Sequence, residues 1–365
     1  MNNSTTKIKL AAKEIARDNH YIPQMYLNGW SNDGKHLWMY RVLAFNENCP
    51  IWQLSSIKST GLHKNLYTRI IENEEYDDFE TMFNKRFETP ADAPLKAARQ
   101  GERLSADDWS TIIRYMCAQL VRTPAFYVEW AGRISKIVEN AITEVANDLQ
   151  HLKEPPKLFD RDVFAEELIP LSVTLTDYDE DHAGVEIHSN VGKGYWLYAA
   201  HRLLKDDSDL IRTLCSFKWS IVDAPDGASW PTCDSPFVMA ALCNDGSCKY
   251  VSAIGQASIL LFPISPKKLI LTYPKCKQKP RFTASEKDAA LFKRLIVQNA
   301  LLYVYSNMED TTIQSIRPRC VDAQEAKRLR GEFDSWYRTY RENEAPHLQK
   351  KFRLVDKRNK SACQS

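Results

Sequence analysis

No run of apolar residues in this sequence approaches the roughly 18 that a membrane-crossing helix requires. The segment Met1 to Asp18 is polar and lacks the apolar centre of a secretory signal, so neither export nor a membrane anchor is expected. An excess of one charge is also missing, since 49 Lys and Arg stand against 47 acids. The weak net field argues against a dedicated nucleic-acid binder and leaves nucleic acid as a partner without support from charge. Nine cysteines, an odd number, never form Cys-x-x-Cys, which argues against a disulfide framework and a zinc ribbon and fits a reducing cytoplasm. His182-x5-His188 and Cys243-x4-Cys248 match no zinc spacing, so no metal site is predicted. Walker A, Gly-x-Gly-x-x-Gly, Gly-x-Ser-x-Gly and His-Glu-x-x-His patterns are all absent, which removes support for the commonest nucleotide, hydrolase and zincin readings and leaves any cofactor unknown.

What is present is material for a globular core. Hydrophobic residues make up 44% of 365, with 16 Tyr, 14 Phe and 9 Trp, and the length exceeds the roughly 250 to 300 residues at which one core stops growing. One intertwined unit with lobes is expected. Charge is uneven: Glu72 to Glu80 holds six carboxylates, and the stretch from Val321 onward holds eleven Lys and Arg against seven acids.

Tyr21 to Leu66 mixes aromatics with turn residues, and His36 to Val42 reads as a short strand, so this part is expected to be irregular with a small hairpin. Phe79, Met82, Phe83 and Phe87 then recur at helical spacing from Tyr76 to about Arg99. Ser105 with Asp108 three residues on is a capping-box signature, followed by Trp109, Ile112, Ile113, Met116 and Leu120, and Pro124 kinks or breaks the helix before it resumes to about residue 150. Arg161 to about Leu175 and Tyr195 to Leu204 read as helices separated by an acidic surface loop, Asp177 to His182. Short alternating or apolar runs follow at Phe217 to Val222, Ser229 to Thr232, Ala257 to Phe262 and Leu269 to Tyr273, with a hairpin between Cys243 and Cys248. Then come a helix over Glu286 to Asn299, a strand over Ala300 to Tyr305 and a last helix from Ala323 to about Arg341. Helices first and strands later predict an α+β fold: a helix-rich N-terminal half packed on a mostly antiparallel sheet from the C-terminal half. The helical lobe is expected over about 76–206, the sheet lobe over about 213–306, and a C-terminal helix with a charged tail over 307–365.

Three constellations hold the chemistry. In Asn19-His20-Tyr21-Ile22-Pro23-Gln24, Pro23 keeps Ile22 out of a helix. His20 is the best candidate acid or base, because imidazole titrates near neutrality, and Asn19 and Gln24 are placed to orient a substrate or fix a tautomer. Equally, such polar groups tie loops to backbone. In Gln119-Leu-Val-Arg122-Thr-Pro124, positions 119 and 122 share a helix face with Tyr115 one turn earlier. Arg122 there suits a phosphate or carboxylate clamp, or a buried ion pair with Glu80 or Glu88. In Trp230-Pro-Thr-Cys-Asp234-Ser-Pro-Phe237, Asp234 ends a strand, a common place for a catalytic or metal-binding carboxylate and also ordinary turn chemistry, while Cys233 reads as a buried thiol rather than a nucleophile.

Taken in this order, the constellations resemble the mostly bacterial family designated domain of unknown function 4238. The resemblance runs from about Asn19 to Ser306. It includes Asn19 to Gln24 with Tyr26-Leu27, then Asn65-Leu-Tyr67, Glu80 and Glu88, Gln119-x-x-Arg122-Thr-Pro124, Thr232-Cys-Asp234-Ser-Pro236, Phe262-Pro-Ile-Ser-Pro266 and Asn299. Ile22 replaces the usual Val, and Cys233 a usual hydroxylated residue. The resemblance implies that His20, Gln24, Gln119, Arg122 and Asp234 line one shared pocket, and it implies no particular activity.

Two readings of function follow. One is an enzyme, a hydrolase or nuclease-like effector in toxicity or phage defence. It would use His20, Arg122 and Asp234 as catalytic residues and Asn19, Gln24 and Gln119 as substrate-binding residues. The other is a non-catalytic ligand-sensing or protein-binding module in which the same residues form a structural network.

Overall fold

The computed structural model describes residues 15–71, 74–150, 171–179, 182–189, 192–243, 248–274 and 276–344. The polar leader, the Pro155-Pro156 punctuation, the start of the expected Arg161 helix and the basic tail after residue 344 lie outside them. The architecture is α+β.

A six-stranded sheet runs in the spatial order Cys248–Tyr250, Val238–Leu242, Ile259–Ser265, Lys268–Thr272, Ser220–Asp223, Arg281–Thr283. It is antiparallel except for the last pair. Its central strand Ile259–Ser265 is buried at six of seven positions, as expected of an apolar run covered on both faces. One face takes the Glu286–Gln298 helix through Phe292, Leu295 and Ile296, and the other packs on the N-terminal helices through Leu260, Phe262 and Ile264.

The helices between residues 78 and 216 are Asp78–Phe83, a π-helical turn Asn84–Glu88, Thr89–Gln100, Ala106–Val121, Pro124–Gln150, Lys193–Leu203 and Asp209–Ser216. The capping box forms as the spacing predicts: Ser105 Oγ accepts from Asp108 N at 3.1 Å, and Asp108 Oδ2 accepts from Ser105 N at 2.8 Å. Pro124 stands at the first position of its helix, where no backbone N–H is needed, so the chain turns at Arg122-Thr123 instead of continuing.

One expectation changes. Leu171–Asp179 and His182–Ser189 form an antiparallel hairpin rather than the end of a helix and a surface loop. The alternation of Val173 with Leu175 and of Val185 with Ile187 is the period-2 signal that decides it. The small hairpin expected in the aromatic N-terminal stretch is the antiparallel pair His36–Arg41 and Trp52–Ser56. His36–Arg41 and Trp52–Ser56 extend a four-stranded antiparallel sheet with Thr232–Cys233 and Tyr303–Ser306, in the order Thr232–Cys233, Tyr303–Ser306, His36–Arg41, Trp52–Ser56. N-terminal strands thus complete a sheet begun from the other end of the chain.

The Asn19 segment enters the core from an exposed start. Asp18–His20 pairs antiparallel with Leu62–Lys64, with Asn19 opposite His63. Gly61 adopts φ +66°, and a Cβ there would lie 2.8 Å from Ile22 Cβ, so only glycine permits its carbonyl to accept from both Tyr21 N and Ile22 N. Downstream, Tyr26 donates to the Pro263 carbonyl at 2.6 Å, and Arg99 Nε reaches the Ile264 carbonyl at 2.7 Å, which fixes the segment against the central sheet strand. Among the described residues, no helix is long and apolar enough to cross a membrane.

Candidate functional site

Arg122 is the centre of the polar set. It caps the Ala106–Val121 helix and is fully buried, with its guanidinium 4.5 Å from the Phe83 ring centroid and 5.5 Å from that of Tyr67. Its Nη1 donates to Glu88 Oε1 at 2.6 Å and to Gln119 Oε1 at 3.4 Å, Nε donates to Tyr67 Oη at 3.3 Å, and Nη2 donates to the His20 carbonyl. Burial opposes the charge, but the Tyr67 oxygen and the carboxylates of Glu88 and Glu80 outweigh it and hold the guanidinium protonated. The ion pair with Glu88 is one of the alternatives the sequence left open for Arg122. Its donors are engaged inside the protein.

The neighbouring residues tie backbone to this pair. Asn19 is fully buried, donates to the Ala16 carbonyl at 3.1 Å and to Glu80 Oε2 at 3.4 Å, and accepts from Tyr67 N at 3.0 Å. Gln119 donates to the Tyr21 carbonyl at 3.2 Å. Burial pushes the Glu80 carboxyl up to about 7, against the pull of Arg122. Tyr115, on the same helix, packs its ring near Phe262 and Tyr26 and leaves its buried hydroxyl without a hydrogen-bond partner.

Asp234 is part of a different construction. Its Oδ1 accepts from Leu301 N at 2.7 Å, and its Oδ2 accepts from Leu302 N at 2.6 Å and Tyr303 N at 3.0 Å. The carboxylate therefore satisfies the chain between the Glu286–Gln298 helix and the strand that begins at Tyr303. Burial pushes it up to about 6 although these three N–H groups favour its charged form. Asn299, the helix C-cap, donates to the Ser235 carbonyl at 2.6 Å and secures the same turn from the other side. Cys233 is buried, its thiol pushed up by burial and donating to the Ser235 carbonyl.

His20 stands apart from both. Its Nε2 lies 3.1 Å from the Lys58 carbonyl and 3.4 Å from Gln24 Nε2, so the ring donates to Lys58 and Nδ1 carries the lone pair. Burial lowers its pKa, partly offset by that carbonyl. Its ring has no hydrogen bond to Asp234 or to the Arg122 guanidinium among the described residues, and only the His20 main chain joins the Arg122 pair. The His20 ring is half-buried and Gln24 is exposed.

What opens to a cavity is another set of groups. A cleft of about 360 Å³ is lined by Tyr21, Asp234 and Leu301 to Tyr303, by Arg41 and Phe45, by Leu62 and His63, by Pro124 and Ala125, and by Ala326, Arg330, Phe333 and Asp334 of the Ala323–Thr339 helix. Arg41 sits opposite Tyr303 in the strand register, 5.7 Å from its ring centroid, and among the described residues that ring is its one partner. Arg330 lies 3.8 Å from Asp334. His63 donates from Nδ1 to the Lys64 carbonyl at 2.9 Å, and its Nε2 is buried beside Phe333 and Trp336 without a hydrogen-bond partner. Of this lining the sequence assigns a chemical role to Asp234 alone, with Tyr21 and Pro124 only as members of its motifs. Arg41 ends an alternating strand and His63 follows a glycine turn, and no local pattern marks either as part of a site.

Among the described residues, no group of three or more His, Cys, Asp or Glu side chains is placed to hold a metal ion. The fold and site define an α+β protein in which Asn19, Gln119 and Arg122 form a buried network and Asp234 ties a separate turn beside a cleft. The chain belongs to the family described as Protein of unknown function (DUF4238), whose model matches residues 18–310. No curated protein and no solved structure matches it.

Proposed function

We propose that this protein is a ligand-binding module whose site is the cleft between the Asp234 turn and the C-terminal helix, framed by the Asn19, Gln119 and Arg122 network and, separately, by the Asp234 turn. The observation that carries this reading is Arg41. Its guanidinium lines the cleft with a tyrosine ring as its one partner among the described residues, so it keeps hydrogen-bond donors for an anionic group. Tyr21, Tyr303 and Phe333 add aromatic surface around it. Benzoate, a carboxylate on a flat ring, is the matching probe. Titration calorimetry on the full chain is expected to register benzoate binding, weakened by at least about tenfold in Arg41→Gln with an unchanged melting temperature, a loss near 1.4 kcal/mol. Equal affinity in the variant, or no heat with wild type, overturns the reading.

One observation favours a second reading, hydrolysis of a phosphate-bearing substrate by an effector with His20 as acid or base. The imidazole is half-buried and shares its surroundings with the exposed carboxamide of Gln24. Growth of a host on induced expression of wild type and His20→Ala tests it. Toxicity that disappears in a variant of unchanged melting temperature supports catalysis, and a non-toxic wild type removes the effector reading.

A further inference from the structure

A second cleft, of about 300 Å³, adjoins the first. It is lined by Glu129, Ser235, Tyr250, Ser252, Gln256 and Asn299, with Phe126 and Phe237 as its aromatic surface. Ala125 lines both clefts, and Asp234 in the first is followed directly by Ser235 in the second. The boundary between them is therefore the Asp234-Ser235 turn, held down by the Leu301 to Tyr303 amides on one side and Asn299 on the other. A ligand that occupies both clefts would pass over this turn.

The two halves differ in chemistry. In the first, Arg41 and Arg330 are balanced by Asp234 and Asp334. In the second the one acidic or basic side chain is Glu129, and the rest is apolar surface with neutral hydrogen-bonding groups. Among the described residues, the Ser252 and Gln256 side chains and Asn299 Oδ1 have no hydrogen-bond partner. Neutral donors and acceptors in this number match the amides of a peptide backbone, each of which needs a partner when it leaves water. A nucleic-acid strand would instead bring phosphates past Glu129 with no basic residue there to receive them.

We propose that the two clefts form one groove across the Asp234-Ser235 turn, and that its ligand is a short peptide whose free terminal carboxylate meets Arg41. This rests on the reading of Arg41 as the anion anchor and extends it to the class of ligand. The carboxylate end lies over the first cleft, and the preceding residues place their amides against Ser252, Gln256 and Asn299 in the second.

The experiment uses the full chain immobilised and exposed to a pool of random tetrapeptides, in parallel with the same pool amidated at the C-terminus, with retained peptides measured by mass spectrometry. Wild type is expected to retain free-acid peptides at least about tenfold better than amidated ones. Ser252→Trp, which fills the second cleft, is expected to lose that retention while binding benzoate as wild type does; Gln256→Trp serves in its place if Ser252→Trp does not fold. Peptides that are not retained, amidation without effect, or retention unchanged by the tryptophan overturn the proposal. If benzoate still binds through Arg41 in any of those cases, the single-cleft reading stands alone, whereas loss of benzoate binding in wild type removes both.

Discussion

Asp234 looks from sequence like a catalytic carboxylate, yet its two oxygens already receive three backbone N–H groups. The substitution that separates shape from charge is Asp234→Asn. An asparagine carbonyl can serve one side of the turn, while its NH2 faces backbone donors and leaves at least one buried N–H unpaired. The expected cost is about 2–4 kcal/mol in denaturant-derived stability, because charge-assisted hydrogen bonds are lost and a buried donor is stranded. A change under about 0.5 kcal/mol would mean that the cap contributes little and that the carboxylate is kept for something else. Arg122 and Asn19 follow the same logic, since each spends its donors on carbonyls and carboxylates within the protein. Arg41 does not, and that contrast is what sets the cleft apart from the frame.

The Ala323–Thr339 helix supplies one wall of the cleft although it lies beyond the matched family region. It starts at Asp322, whose side chain accepts from Gln324 N and Glu325 N at 2.9 Å. At its other end Tyr340 is buried and accepts from Ile70 N at 3.1 Å. Lys193 is the anchor between. Its ammonium donates to the Thr68 carbonyl at 2.7 Å and lies 5.1 Å and 4.8 Å from the ring centroids of Tyr337 and Tyr340. Lys193→Met keeps the apolar stem and removes the charge. The variant is expected to be about 1–3 kcal/mol less stable, with faster amide exchange along Ala323–Thr339 than in the Ala106–Val121 helix. Unchanged protection of the C-terminal helix would show that Phe333 and Trp336 dock it without the lysine.

Across the whole molecule, the pH dependence of stability joins two opposed groups. Burial raises Glu80 to about 7, so the folded state holds a proton between about 4.5 and 7 that the unfolded chain releases. That contribution is present below 4.5 and is lost as pH rises through about 7. Burial lowers His201 to about 4, so its contribution is present above about 6.5 and is lost as pH falls toward 4. Glu80→Gln keeps an acceptor for Asn19 and removes the titration. Its stability relative to wild type is expected to improve by on the order of 1–3 kcal/mol between pH 4.5 and pH 8, measured as the difference between parallel denaturation curves. A difference independent of pH would place the Glu80 carboxyl in its ordinary range.

The sequence by itself determined the elements whose cause is local. The Ser105 capping box, the Pro124 break and the apolar run of the central strand each follow from residues within a few positions of one another, and the polar motifs were legible one by one. Only the tertiary structure decided which partners those residues meet, because the partners come from segments far away in the chain: Asn19 meets Glu80, Arg122 meets Glu88, and Asp234 meets the amides of Leu301 to Tyr303. The same residue types in the same order are compatible with an open catalytic pocket or with a closed frame, and burial with satisfied hydrogen bonds distinguishes them. His36–Arg41 was legible as a strand, but its place beside Tyr303–Ser306 was not, since strand pairing across some 260 residues leaves no local periodicity. Arg41 gained its place in the cleft through that pairing alone.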